Sequence, residues 1–328
     1  MRAVVVDEPG GLERLRVAEV AEPRAGPGDV LIEVAYAACN WSDIQKRQGV
    51  YPDPVQYPAL LGLEVSGRVL RRGAGVRAPR EGQAVAAITG PRGLGGFAER
   101  VAAPRAYVIP LPEGFDPKLG AAFPVVGLTA YHLLHTAHRV RRGETILIHA
   151  IGGALGLVLT QLAVAAGARV LGTAGSRAKA ERALAYGAAR VAVRDEDDFV
   201  EMALRETGGR GVDLVIDSLG ADILERSFDA LRPYGRLINI GEAAGYPNFP
   251  IRETLYKRST SMAGFELLHA VPGSRRWLAG VWAIVGGLAS GALEIPIVAE
   301  FPLSEIREAQ ALLESRGVAG KLLLDVTR

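Results

Sequence analysis

Hydrophobic spacing changes character along the chain. Up to about residue 120 the apolar segments are short and partly alternating, as in DVLIEVAYAA (29–38), LLGLEVSGRVL (60–70) and QAVAAIT (83–89). Alternation with a period of two is typical of half-buried strands, and the Gly-, Pro- and Arg-rich clusters between these segments are typical of turns. This part of the chain is therefore predicted to form an irregular, mostly β unit with Greek-key or barrel character.

The segment LGAAFPVVGLTAYHLLHTAHRV (119–140) has helical spacing, and short apolar runs alternate regularly with helix-like stretches after it. The predicted strands are TILIHA (145–150), ARVLGTAG (168–175), AARVAVR (188–194), GVDLVIDSLG (211–220) and GRLINIGE (235–242), with TSMAGFEL (260–267) as an edge strand. The predicted helices between them are 154–167, 176–187, 197–209 and 221–235. This alternation predicts an α/β domain with a parallel sheet and helices on both faces.

The remaining segments fit neither pattern. They are helix-like over 275–291, strand-like over 296–303, and a final helix and strand over 305–326. We expect them to pack back on the first domain.

Composition narrows the possible classes of protein. The 328 residues are 49% hydrophobic and carry a formal net charge of +2, so charge does not favour a nucleic-acid partner. A single cysteine, Cys39, allows no internal disulfide. The first residues lack the pattern of a signal peptide, and no apolar run reaches membrane-spanning length. A cytoplasmic protein without membrane contact is expected.

A turn that binds a dinucleotide phosphate is predicted directly after the first strand of the α/β part. Gly152, Gly153, Ala154, Leu155 and Gly156 follow TILIHA and open a long helix. Gly lets the backbone approach a pyrophosphate, and a helix N-terminus presents unpaired N–H groups to the anion. The G-x-G-x-x-G pattern is incomplete here and also occurs in turns without a ligand. The strand–turn–helix–strand context favours the dinucleotide.

The end of the next strand distinguishes between cofactors. An NAD-binding unit carries Asp or Glu there to hold the ribose 2′-hydroxyl. This chain instead has Thr173, Gly175, Ser176, Arg177 and Lys179, with no acid before residue 181. Hydroxyl and cationic groups suit a 2′-phosphate, so NADPH is the predicted cofactor. Basic residues that are merely solvated are the alternative.

Several further motifs accompany this turn, in a fixed order and over nearly the whole length. They are Asn40-Trp41-Ser42-Asp43 with Gly49-Val50-Tyr51-Pro52, Gly62-Leu63-Glu64, Gly95-Gly96-Phe97-Ala98-Glu99, Gly127-Leu128-Thr129-Ala130, His149 with Gln161, Val212 to Ser218, and Gly235-Arg236. With these motifs the chain resembles the medium-chain dehydrogenase/reductase superfamily, in its zinc-independent quinone oxidoreductase and enoyl reductase-like branch. The resemblance implies a Rossmann dinucleotide-binding domain over 123–266. It also implies a GroES-like catalytic domain over 1–122, completed by 267–328.

Zinc-dependent members of that superfamily carry a Cys ahead of a Thr-Asp pair and a His in Gly-His-Glu, where this chain has Asn40 and Leu63. Cys39 lies one position early, which turns its side chain to the opposite face of an extended strand. The relatives' second zinc loop needs four cysteines. No metal is therefore expected at those positions. His132, His135 and His138 share one helix face, where surface or interface roles compete with a metal role.

Without a Lewis acid, the substrate must accommodate the negative charge that a hydride leaves on its oxygen. A conjugated acceptor such as a quinone, enone or enoyl thioester delocalises that charge, so reduction of one is favoured over alcohol oxidation. The resemblance implies that Tyr51 is a hydrogen-bond or proton donor and that Asn40 is a polar wall group near the nicotinamide. Tyr51 could instead only fill space in its loop.

Other positions resemble cofactor contacts of the family, with structural alternatives. Thr129 and Gln161 resemble cofactor-side positions, or are polar groups of the core. Arg194 ends the third strand of the sheet, where a guanidinium either binds the 2′-phosphate or lies in solvent. Gly241 ends a parallel strand at the edge where cofactors bind, although a plain turn is equally compatible.

Three functions remain open from the sequence. The first is NADPH-dependent reduction of a quinone or other conjugated carbonyl compound, the second is a trans-2-enoyl thioester reductase, and the third is a non-catalytic NADPH- or RNA-binding relative. The partner is expected to be a small electrophilic molecule bound between the domains. An unpaired sheet edge at TSMAGFEL makes a homodimer the expected assembly.

Overall fold

A computed structural model describes all residues from 1 to 328. The chain separates into two compact units. Unit 1 comprises Met1–Leu128 and Val271–Arg328, and unit 2 comprises Thr129–Ala270. No helix is both long enough and apolar enough to cross a membrane.

Unit 1 is mostly β. Its strands are Arg2–Val6 (β1), Leu15–Glu19 (β2), Asp29–Ala38 (β3), Ala59–Leu60 (β4), Glu64–Arg72 (β5), Ala84–Ile88 (β6), Arg100–Pro104 (β7) and Val108–Pro110 (β8), with Ile297–Pro302 (β15) and Lys321–Asp325 (β16) from the C-terminal segment. Its helices are Trp41–Gln48 (α1), Pro117–Ala122 (α2), Arg275–Ser290 (α8) and Ile306–Glu314 (α9). Pro124–His132 (α3) begins in unit 1 and ends in unit 2.

Two sheets form this unit. One has the order β2-β1-β4, and the other has the order β15-β16-β3-β5-β6-β8, with β7 also paired to β3. The central strand β3 is antiparallel to both β16 and β5, and Ala38 lies opposite both Leu323 and Glu64. This pairing brings the carboxyl end of β3 together with the amino ends of β5 and β16. Alternate apolar residues from these strands fill one core, which includes Ile32, Val65 and Leu324.

Unit 2 is built from alternating strands and helices. Its strands are Thr145–Ile148 (β9), Arg169–Ala174 (β10), Arg190–Val193 (β11), Val212–Asp217 (β12), Leu231–Asn239 (β13) and Ser261–Gly264 (β14). Its helices are Ala154–Ala165 (α4), Arg177–Ala185 (α5), Phe199–Glu206 (α6) and Ala221–Ala230 (α7), with π-helical turns at Leu133–Ala137 and Arg252–Tyr256. All neighbouring strands are parallel, in the order β11-β10-β9-β12-β13-β14. The fold class is thus a doubly wound Rossmann sheet together with a GroES-like, mostly β unit, as predicted.

Strands β2, β7 and β8 have no counterpart among the predicted elements, and three further differences concern helices. Helix α1 has no counterpart among the predicted elements, because its mostly polar sequence shows no apolar spacing. The predicted helix over 119–140 is broken at Phe123, since Pro124 cannot continue the helix before it. The predicted helix over 221–235 is too long, because β13 already begins at Leu231.

Close packing in unit 2 yields a stability prediction. A Cβ atom on Gly172 of β10 would lie 2.4 Å from Cδ1 of Ile151 and 2.7 Å from its Cβ, whereas one on Gly264 of β14 would meet nothing within 4 Å. We expect Gly172→Ala to lower the free energy of unfolding by about 2 kcal/mol through overpacking. The matched Gly264→Ala change in the same sheet should alter it by less than about 0.5 kcal/mol. Urea unfolding measures both, and equal midpoints for the two variants would contradict this packing.

Candidate functional site

The carboxyl ends of the parallel strands define the candidate cofactor edge of unit 2. Strands β10 and β11 follow β9 on one side, and β12, β13 and β14 lie on its other side. The direction of winding therefore reverses between β9 and β12. Ligands of such sheets bind at this reversal, outside the carboxyl ends of the strands.

The turn after β9 lies at that point and leads into α4. The N–H of Ile151 donates to the carbonyl of Thr173 at 2.9 Å, which ties the turn to the end of β10. Helix α4 begins after Gly153, and its first closed turn is the bond from the N–H of Leu157 to the carbonyl of Gly153 at 3.0 Å. The half-buried amides of Ala154 and Leu155 precede that bond, so they are placed to donate to an anion.

Two glycines of this turn have a packing role that a side chain would disrupt. A Cβ on Gly152 would lie 2.6 Å from Cβ of Lys179, and one on Gly156 would lie 2.4 Å from the carbonyl oxygen of Ile151. The turn therefore lies directly against the start of α5. The backbone on the other side of the turn is accessible to a ligand. This arrangement fits the pyrophosphate of a dinucleotide.

The end of β10 carries the residues predicted to choose between cofactors. Gly175, Ser176 and Arg177 are exposed, and Ser176 caps α5 by accepting from the N–H of Lys179 at 3.4 Å. The Arg177 guanidinium is already paired with Glu196, at 2.7 Å.

Arg194 lies at the end of the neighbouring strand β11. It forms no ion pair, and its guanidinium lies 4.0 Å from the position of a Cβ on Gly175. Arg194 thus lies beside this turn without a carboxylate partner.

His149 fixes the hydroxyl of Thr173 at the same edge. Its Nε2 lies 2.8 Å from Oγ of Ser227, whose own proton goes to the carbonyl of Ile223, and its Nδ1 lies 3.0 Å from Oγ1 of Thr173. Nε2 therefore carries the ring proton, and Nδ1 accepts from the threonine. Burial lowers the pKa of His149 to about 3, so the imidazole is neutral.

Two other predicted cofactor-side residues have partners within unit 2. The carbonyl of Gly241 accepts from Nδ2 of Asn239 at 3.0 Å, and the same nitrogen donates to Asp217 at 2.9 Å. The side chain of Gln161 donates to the carbonyl of Leu157 at 3.1 Å. Thr129 is half-buried on α3.

In unit 1 a buried polar cluster of Asn40, Glu64 and Lys321 lies where the end of β3 meets the starts of β5 and β16. Nζ of Lys321 lies 2.6 Å from both Oδ1 of Asn40 and Oε1 of Glu64. Nδ2 of Asn40 donates to Oε1 of Glu64 at 2.9 Å and to the carbonyl of Ala38 at 3.2 Å. The second carboxylate oxygen of Glu64 accepts from the N–H of Val125 at 2.7 Å. Since an ammonium only donates, it fixes the orientation of the Asn40 amide.

This cluster is almost without water, because Glu64 is 0% and Lys321 is 2% exposed. Burial raises the pKa of Glu64, and the Lys321 ammonium opposes that shift. A buried ion pair of this kind is costly to break, since removal of one partner leaves a bare charge at a cost of about 3–5 kcal/mol.

The donor set does not fit zinc. The oxygens of Asn40 and Glu64 point at an ammonium, and Leu63 beside them offers no ligand atom. Cys39 is buried in the apolar core of unit 1, where burial raises the pKa of its thiol. Zinc sites in proteins are built mainly from Cys and His with Asp or Glu as further ligands, and this cluster offers only Glu64, whose oxygens are already hydrogen-bonded.

The helical histidines do not form a metal site either. His132 lies 2.9 Å from the hydroxyl of Thr136, and His138 lies 3.0 Å from a carboxylate oxygen of Glu144. The ring of His135 contacts Tyr131 with centroids 4.5 Å apart. Across the chain no three His, Cys, Asp or Glu side chains come together as a metal-binding group.

Asp43 lies on α1, and Tyr51 follows that helix. Oδ2 of Asp43 accepts from the N–H of Asn40 at 2.9 Å, so Asp43 closes the start of α1 and holds the Asn40 backbone. The half-buried ring of Tyr51 lies beneath the ammonium of Lys46, with 4.7 Å to its centroid.

Lys321 is the residue that the sequence interpretation missed. The signal was a lysine directly before three leucines, in KLLLDV, and directly after Gly320. A charged residue in such a position is buried only when it is paired. Its partners, however, lie more than 250 residues earlier in the chain.

Comparisons with known proteins agree with this architecture. Residues 26–113 match the alcohol dehydrogenase GroES-like domain, and residues 154–279 match the zinc-binding dehydrogenase family. The chain is 31% identical to quinone oxidoreductase 1 of Escherichia coli, over 96% of both chains, and 31% identical to a 2-haloacrylate reductase of Burkholderia sp, over 98% of both. The crystal structure of the Escherichia coli quinone oxidoreductase complexed with NADPH is similar with a TM-score of 0.94, at 29% identity, over 99% of this chain and 100% of that one.

Asp43 yields a prediction about pH. Burial raises its pKa to about 6, against the opposing effects of Lys46, the Asn40 N–H and Lys321. The folded protein therefore keeps a proton that the unfolded chain has lost, and the free energy of unfolding should fall as pH rises from about 4 to about 6, by on the order of 2–3 kcal/mol from this group. Asp43→Asn should flatten this part of the profile.

Urea unfolding between pH 4 and pH 7 measures the profile. The exposed Asp53→Asn variant serves as the control and should follow the parent protein. Parallel profiles for the parent protein and Asp43→Asn would show that Asp43 does not titrate in this range.

Proposed function

Because the chain belongs to the quinone oxidoreductase branch of the medium-chain dehydrogenase/reductase superfamily, we propose that it reduces a quinone or another conjugated carbonyl compound with NADPH. One observation carries the proposal. The place of a metal ligand set is taken by the Asn40–Glu64–Lys321 cluster, whose ammonium is already neutralised by its own carboxylate. A substrate that delocalises the incoming charge over its own π system suits such a site.

The cofactor assignment rests on unit 2. The amides of Ala154 and Leu155 would hold the pyrophosphate, and Ser176 and Arg194 would hold the 2′-phosphate. NADPH, when bound, supplies the hydride that reaches the substrate carbon. No carboxylate stands at the end of β10 to repel the extra phosphate.

The contacts of Asn40 and Tyr51 in unit 1 suggest different roles for these two proposed substrate-side residues. Both protons of the Asn40 amide are used, by Glu64 and by the carbonyl of Ala38. Asn40 is therefore proposed as a fixed polar wall group. Tyr51 is proposed as the donor to the substrate oxygen, with its ring beneath the Lys46 ammonium.

A substrate panel tests the proposed activity. NADPH oxidation should be fast with naphthoquinone and with an enone, and slow with a simple ketone and with crotonyl-CoA. Tyr51→Phe should lower kcat/KM for the enone by about 100-fold or more, the loss of one positioned proton donor, and should affect the quinone less. Tyr234→Phe, at an exposed tyrosine of unit 2, is the control.

The results of this panel separate the functions. Preference for crotonyl-CoA over every quinone and enone would replace the proposal with an enoyl thioester reductase. Unchanged turnover of the enone by Tyr51→Phe would remove Tyr51 from its proposed role.

Arg194 is expected to discriminate between NADPH and NADH. Arg194→Ala should weaken NADPH binding about 10-fold or more, as expected for the loss of a charge-assisted hydrogen bond, and should leave NADH binding unchanged. Arg177→Ala should have a smaller effect, because Glu196 already engages that guanidinium. Arg190→Ala, at the opposite end of β11, is the matched control. Titrations with NADPH and with NADH measure the affinities of the parent protein and the three variants. Equal losses of NADPH and NADH affinity in Arg194→Ala would contradict the assignment of Arg194 to the 2′-phosphate.

A further inference from the structure

A groove in unit 1 lies apart from the residues discussed so far. It runs between residues 105–112, which include β8, and the part of α8 up to Val285, and its volume is about 430 Å³. Volumes of this size are typical of sites for small organic molecules. None of the residues assigned to the cofactor or the substrate lines it.

The walls of the groove are apolar. Trp277, Leu278, Val281, Trp282 and Val285 form a stripe along α8, opposite Val108, Ile109 and Leu111. From Trp277 to Val285 the helix rises by about 12 Å. Trp282 is 74% exposed and Leu278 is 45% exposed, so the groove opens to solvent with large apolar side chains at its rim. Such a surface favours a ligand with an extended apolar body.

One end of the groove is cationic. Arg105 lines it and donates to the backbone carbonyls of Ala78 and Val108, but no carboxylate forms an ion pair with it. Burial lowers the pKa of this guanidinium, with no nearby charge acting against that shift. A half-buried cation without a counterion favours an anionic partner.

The start of α8 lies at the same end. A Cβ on Gly273 would lie 3.7 Å from Cβ of Ala106, the neighbour of Arg105. The helix N-terminus carries a partial positive charge, and Arg275 and Arg276 in its first turn are exposed. The groove thus combines one positive end with an apolar body.

We propose that this groove binds a free fatty acid, with its carboxylate at Arg105 and its chain along the tryptophans of α8. The charge complementarity at Arg105 selects the carboxylate, and the length of the apolar stripe selects an aliphatic chain. This site is independent of the proposed reductase activity.

Tryptophan fluorescence of the full chain tests the proposal, since two of its three tryptophans, Trp277 and Trp282, line the groove. Decanoate, below its micelle concentration, should change the emission saturably. Octanoate should bind more weakly by about four-fold for each methylene removed. Decan-1-ol, which has no charge, should bind about 10-fold more weakly than decanoate.

A pair of neighbouring substitutions locates the site. Leu278→Glu places a carboxylate in the groove and should weaken decanoate binding at least 10-fold. Ala279→Glu adds the same charge to an exposed position of α8 outside the groove and should leave binding unchanged. Arg105→Met should remove the preference for decanoate over decan-1-ol, and Arg105→Lys, which keeps the charge, should retain part of it.

Three results would overturn the proposal. Decan-1-ol binding as tightly as decanoate would show that no anion is recognised. Equal binding by Leu278→Glu and Ala279→Glu would place the ligand elsewhere. Absence of decanoate binding, together with a sedimentation coefficient that Leu278→Glu lowers, would identify the groove as a contact between copies of the chain.

Discussion

The buried ion pair between Lys321 and Glu64 is the interaction on which the site of unit 1 depends. It joins the first residues of two strands to the end of a third, and it sets the direction in which the Asn40 amide points. In an apolar interior neither charge is tolerable alone, so the pair also requires the sheet order that brings β16 beside β3. The same contact therefore orients a residue of the candidate site and requires the observed order of strands.

The two units handle charge in different ways. Unit 2 leaves donors open at a helix start and a cation without a carboxylate at Arg194, which suits a ligand that brings its own negative charge. The polar cluster of unit 1 neutralises its charges internally, and even Asp43 is held by the Asn40 N–H with cations close by. The first arrangement favours binding of an anion, and the second favours a substrate that arrives uncharged.

Most of the fold follows from the sequence, because the parallel strands and their helices are periodic and strongly apolar. The turn at Gly152 to Gly156 was placed correctly for the same reason, since it lies between a clear strand and a clear helix. What depends on distant pairing was not found. Helix α1 is stabilised at its ends rather than by an apolar face, with Asn40 before it and Gly49 in the left-handed conformation after it, at φ 74°. Three features could not be predicted because they depend on contacts between segments that are distant in sequence. They are the pairing of Lys321 with Glu64, the pairing of Arg177 with Glu196, and the groove along α8.

The position of the single cysteine has a consequence for an enzyme of this kind. Conjugated carbonyl compounds alkylate thiolates, so an enzyme that reduced them, as proposed, would be exposed to inactivation by its own substrates. Cys39 is sealed in the core of unit 1, where burial keeps its sulfur protonated. The folded chain therefore offers no thiolate to an electrophile that reaches it.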